Sequence, residues 1–84
     1  MPCLNVAILL APMPANIFVQ FGKSVRRLRK ARHLTQQQLA DKAGIHQTYL
    51  GRIERGVQNI SLENIHKIAR ALRVPIARLF HGVR

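Results

Sequence analysis

Five residues in one short stretch could do chemistry together: Gln47, Thr48, Gly51, Arg52 and Arg55. Their spacing follows a helical period, so they share one face. Four carry hydrogen-bonding side chains, and the glycine carries none. Such a face suits the edges of base pairs in a major groove, where donors and acceptors distinguish one pair from another. Other chemistry has little to work with. The chain holds only three acidic side chains, Asp41, Glu54 and Glu63, which leaves little material for acid–base catalysis or hard-metal binding. His33, His46, His66 and His81 lack compact ligand spacing, so no metal site is expected. No Ser-His-Asp set, glycine-rich phosphate loop or pair of carboxylates can be assembled. No enzyme and no cofactor are expected, and no small-molecule ligand is evident.

The charge points to a partner. Fourteen Lys and Arg residues oppose three acidic ones in 84 residues, a formal net charge of +11. A small domain at that charge repels itself unless a polyanion neutralises it. Nucleic acid is the expected polyanion; a membrane surface is the rival for basic amphipathic helices. Every charge sits between Lys23 and Arg84. The single cysteine, Cys3, excludes an internal disulfide and fits a reducing cytosol.

The elements that must position the polar face are short helices. Thr35 can cap one helix, with Gln38 three residues on completing a capping box. Leu39, Ala40 and Ala43 share its inner face. Gly44 stops it, since glycine reaches the left-handed conformation at no steric cost. Ile45 can plug the angle to the next helix, which starts near His46, faces inward with Leu50 and Ile53, and closes at Gly56. Two helices joined by a tight glycine turn make a helix-turn-helix.

The flanking chain completes a bundle. Phe21, Val25 and Leu28 form the stripe of a first helix running from Phe18 or Phe21 to about Ala31. Arg26, Arg27, Lys30 and Arg32 take its other faces, and Arg29 lies on the inward edge. Ser61 can cap a later helix with Glu63 in its first turn and Leu62, Ile65, Ile68, Ala69 and Leu72 inward. Pro75 fits the first turn of a last short helix to Phe80. Leu79 there is core; Phe80 is either core or dimer surface. The expected organisation is an apolar extension over 1–20, a helical domain over 21–80 and a frayed end over 81–84. Three readings of the extension stand open: a tail or an upstream start codon, an ordered arm on the domain or on a second subunit, or a membrane contact.

The stretches T-Q-x-x-L-A, A-G-I, Y-L-x-x-I-E-R-G and S-L-x-x-I-x-x-I-A-x-A-L, between Thr35 and Leu72, together resemble the Cro and repressor-type helix-turn-helix family. Within it, the controller proteins of restriction-modification systems look most similar. The resemblance covers about 21–80. It implies an all-α, five-helix, lambda-repressor-like domain that binds double-stranded DNA as a homodimer on a near-palindromic operator. It also implies roles. Gln47, Thr48 and Arg52 match base-reading positions. Gln36, Arg55, Gln58 and Asn59 match positions that grip backbone phosphates, Gln36 also bracing the recognition helix. Gly51 matches an exposed recognition position. Arg29 and Glu54 match a pair that forms a buried ion pair between the first and third helices. His46 departs from the family's usual Ser or Thr cap, and the extension has no counterpart in the minimal domain.

The expectation is a cytoplasmic transcriptional regulator, not a membrane protein, whose dimer surface lies around Ile76 and Phe80. Two alternatives remain from other classes: an antitoxin-like or other protein-interaction module, and a non-specific nucleic-acid binder.

Overall fold

Local capping sets where each helix begins. In the computed structural model, which describes residues 16–81, Asn16 precedes the first helix and accepts a hydrogen bond from the Val19 amide at 3.0 Å. Helix α1 therefore spans Ile17–Ala31. It starts ahead of Phe18 and Phe21, because the cap lies outside the apolar stripe that suggested the boundary. Helix α2, Gln36–Ala43, opens on a complete capping box: Thr35 Oγ1 accepts from the Gln38 amide at 3.1 Å, and Gln38 Oε1 accepts from the Thr35 amide at 2.9 Å. Gly44 ends it at φ 72° and ψ 32°, the left-handed cap that glycine supplies.

Helix α3, Gln47–Glu54, is capped by a histidine ring, whose Nδ1 accepts from the Thr48 amide at 3.3 Å. Helix α4, Leu62–Leu72, is capped by Ser61 through the Asn64 amide at 3.2 Å, with Glu63 in the first turn. Helix α5, Ile76–Leu79, follows Pro75, which is its cap rather than a member of its first turn. Of the extension expected over 1–20, residues 1–15 lie outside the described residues, as do residues 82–84, while residues 17–20 belong to α1. His81 still closes a turn onto the Arg78 carbonyl at 3.3 Å. Among the described residues there are five helices and no strand.

The inward stripes meet in one core. Phe21, Val25 and Leu28 of α1, Leu39, Ala40 and Ala43 of α2, Leu50 and Ile53 of α3, Ile65, Ile68, Ala69 and Leu72 of α4, and Leu79 of α5 are all buried. Truncating a fully buried leucine such as Leu39 or Leu50 would cost about 2–5 kcal/mol, as lost transfer energy plus a cavity. Leu62 departs from the expected stripe and is 73% exposed. At 3.6 residues per turn it stands about 60° from Ile65 around the axis, on the helix's first residue, where no neighbouring helix covers it.

Two glycines bring α1 against the end of α3. A Cβ at Gly22 would collide with the Ile53 carbonyl oxygen and lie 2.9 Å from the Glu54 carbonyl oxygen. Gly56, at φ 76°, approaches Val19, whose Cα would be 2.6 Å from an added Cβ. Close passage of backbone over backbone thus fixes how far α3 stands from α1, and hence what α3 presents outward.

Candidate nucleic-acid interface

Helix α3 has an inner and an outer face. Leu50 and Ile53 are buried, while Gln47, Thr48, Arg52 and Arg55 are exposed. The outward side chains are thus held on a helix whose other side is pinned in the core. This is the arrangement in which a recognition helix offers donors and acceptors to base edges.

Gly51 differs from its expected place. It is buried, covered by two side chains rather than open. A Cβ built there would sit 3.5 Å from Arg55 Nη1 and 3.7 Å from Gln36 Oε1. The glycine is a saddle over which the Arg55 and Gln36 side chains pass.

A polar bracket holds α3 in place. The Arg29 guanidinium donates from Nε to Glu54 Oε2 at 2.7 Å and from Nη2 to Glu54 Oε1 at 3.0 Å. Its Nη1 donates to the Leu34 carbonyl at 2.8 Å, tying the α1–α2 turn to the same group. Gln36 Nε2 donates to Glu54 Oε1 at 3.1 Å. One carboxylate at the end of α3 thus gathers α1 and the start of α2, and Arg29 ties in the turn. Side-chain exposures of 10% for Arg29 and 3% for Glu54 place the pair away from solvent. A charge-assisted, paired hydrogen bond of this kind is among the stronger polar contacts in a protein.

Further residues complete the geometry. Tyr49 is half-buried, and its hydroxyl accepts from Asn64 Nδ2 at 3.0 Å, which couples α3 to the start of α4. Asn64 had no signal in the sequence, because its partner lies 15 residues away. Arg52 Nε donates to Gln58 Oε1 at 2.9 Å, and Gln58 Nε2 donates to the Asn59 carbonyl at 2.9 Å. Gln58, matched to a phosphate position, therefore has its amide turned onto Arg52. Asn59 is exposed beside it.

Much of the positive charge lies elsewhere. Lys42, Lys67 and Arg70 line a cleft of about 320 Å³ between α2 and α4. Arg27, Arg78 and His81 line another of about 370 Å³. The basic side chains of α3 and its C-terminal cap are Arg52 and Arg55.

Phe80 stacks at a tilt on Phe21, with ring centroids 5.1 Å apart, and is half-buried; Ile76 is half-buried too. Ile17, Phe18, Phe21, Ile60, Ile65 and Phe80 surround an apolar cavity of about 190 Å³. Among the described residues no helix is long and apolar enough to cross a membrane.

A short helix pair joined at a left-handed glycine, with a pinned inner face and a polar outer one, defines the helix-turn-helix class of DNA-binding domains. The chain belongs to the helix-turn-helix family HTH_3, whose sequence model matches residues 25–79. It is 44% identical to the control protein C.BamHI of Bacillus amyloliquefaciens over 63 residues, 74% of this chain and 78% of that protein. The crystal structure of the restriction-modification controller protein C.AhdI from Aeromonas hydrophila superposes with a TM-score of 0.74 at 44% identity, covering 75% of this chain and 96% of that one. SinR, a master regulator for biofilm formation solved in complex with DNA, superposes with a TM-score of 0.69 at 33% identity over 71% of this chain and 97% of its own. The chain is a DNA-binding transcriptional regulator of the controller and repressor type, and not an enzyme.

Proposed function

We propose that this regulator acts in the cytoplasm as a homodimer on a near-palindromic operator, with α3 of each copy in a major groove. The observation that carries the reading is the joint exposure of Gln47, Thr48 and Arg52 on a helix whose opposite side is buried. These three read base edges. Arg55, Gln36 and the loop at Asn59 border the helix and meet the sugar–phosphate backbone. Gln36 has two N–H donors on one nitrogen. One is held by Glu54, and the other is what a phosphate oxygen would take.

The dimer follows from the size of the reading surface and from the apolar patch. One recognition helix reads too few bases for a tight site, so two copies bind about one helical turn, ~34 Å, apart. Ile17 is 51% exposed and Phe18 36% exposed beside the cavity that Phe80 lines. Clustered exposed apolar side chains of this sort mark interaction surfaces. The interface of this proposal lies around Ile76 and Phe80, with Phe80 lining the same cavity as Ile17 and Phe18.

Selection of bound sites from random duplexes tests the proposal. Two inverted half-sites centred about one helical turn apart are expected. Recovery of a single unpaired motif would remove the dimer, and recovery of no motif would leave only non-specific binding by charge.

A further inference from the structure

We infer that Gln58 is a positioning residue for sequence reading, which acts on DNA through Arg52 rather than by gripping a phosphate. The inference rests on the proposal that Arg52 reads a base.

The geometry is a short relay. The loop after α3 folds back on the helix, since the Val57 amide donates to the Arg52 carbonyl at 3.1 Å and Gly56 supplies the left-handed turn at φ 76°. Gln58 is carried over the Arg52 side chain by that turn. Its Nε2 donates to the Asn59 carbonyl at 2.9 Å, and a carbonyl can only accept. This contact decides which way the amide faces. Oε1 is left pointing at Arg52, where it accepts from Nε at 2.9 Å.

The consequence concerns which edge of the guanidinium meets DNA. An arginine can offer two parallel N–H donors from Nε with one terminal nitrogen, or from its two terminal nitrogens. With Nε held by Gln58, the side-on edge is occupied and the terminal edge is presented. Two terminal donors match the O6 and N7 acceptors of guanine. The same contact removes rotamer freedom from an exposed side chain before binding, so less ordering remains for the complex to impose.

The test uses the operator recovered from selection and a random duplex of equal length, with the full chain as Arg52→Ala, Gln58→Ala and the double variant. Arg52→Ala should lose preference at one base pair in each half-site by about tenfold or more. Gln58→Ala should lose preference at that same base pair by a smaller factor, with binding to the random duplex little changed. The double variant should match Arg52→Ala, because a residue that acts only through Arg52 has nothing left to position. The unfolding midpoint of Gln58→Ala should equal that of the parent, which separates positioning from folding. If Gln58→Ala weakens operator and random duplex in equal proportion, or adds its full effect to Arg52→Ala, Gln58 is a backbone contact and the inference is overturned. If Arg52→Ala relaxes no position, base reading by Arg52 fails first and the inference falls with it.

Discussion

Arg29 of α1 and Glu54 of α3 face each other with two parallel hydrogen bonds, at 2.7 and 3.0 Å, across 25 residues of chain. Glu54 also receives Gln36 at 3.1 Å, so its loss would leave a largely buried guanidinium and an amide without their acceptor. Removing one partner of a buried pair costs about 3–5 kcal/mol. Glu54→Ala should therefore lower the thermal midpoint strongly, whereas Asp41→Ala, at an exposed position of α2, should hardly move it. Calorimetric scans of both variants decide the matter, and equal midpoints would contradict the bracket.

The glycines of α1 and α3 should respond with opposite signs. At Gly22 a new Cβ meets the carbonyls of Ile53 and Glu54, which cannot move without shifting α3. Overpacking of that kind costs about 3 kcal/mol. At Gly51 an added Cβ makes ordinary contacts of 3.5 and 3.7 Å with flexible side-chain ends, and alanine gains about 1 kcal/mol over glycine inside a helix. Urea titrations should show Gly22→Ala destabilised and Gly51→Ala slightly stabilised. A stabilised Gly22→Ala would mean that α1 does not approach the Ile53 and Glu54 carbonyls this closely.

These two contrasts also mark what sequence could and could not supply. Helix starts and stops were legible because capping is local: Thr35 with Gln38, Gly44, and Ser61 each act within four residues. The core stripe was legible wherever the period ran through a helix interior, and it failed at Leu62, where the helix begins. Contacts between distant positions had no local signature. The approach of Gly22 to Ile53 and the bond from Asn64 to Tyr49 depend on tertiary placement, as does the cover that Gln36 and Arg55 give Gly51. The phosphate match for Gln58 came from family position alone, and it carried no information about which neighbour its amide would meet.

Association should depend on Phe80. Replacing it by aspartate places a charge beside Phe21 at the apolar cavity. Light scattering on Phe80→Asp should give the monomer mass, with helical circular dichroism retained and operator affinity reduced. A folded variant that remains dimeric and binds normally would move the interface to another surface.

Gln36 should behave as a neutral grip. Gln36→Ala removes a donor to Glu54 and a proposed phosphate contact, but it releases no counterion. Operator and random duplex should weaken alike, while the slope of log affinity against log salt stays nearly unchanged. A clearly shallower slope would show that the loss disturbs cationic contacts instead.

Whether α3 reads bases while its flank grips the backbone is decided by Arg52→Ala and Arg55→Ala on operator and random duplexes across several salt concentrations. Losing a base contact should cost about 1–3 kcal/mol on the operator and much less on random DNA. Losing a cationic phosphate contact should weaken both and make the salt slope shallower by about one unit. Arg52→Ala is therefore expected to relax preference at one position per half-site, and Arg55→Ala to flatten the salt dependence with preference intact. If both variants lose affinity in the same proportion on both duplexes, Arg52 is a clamp and the division of labour on α3 is contradicted.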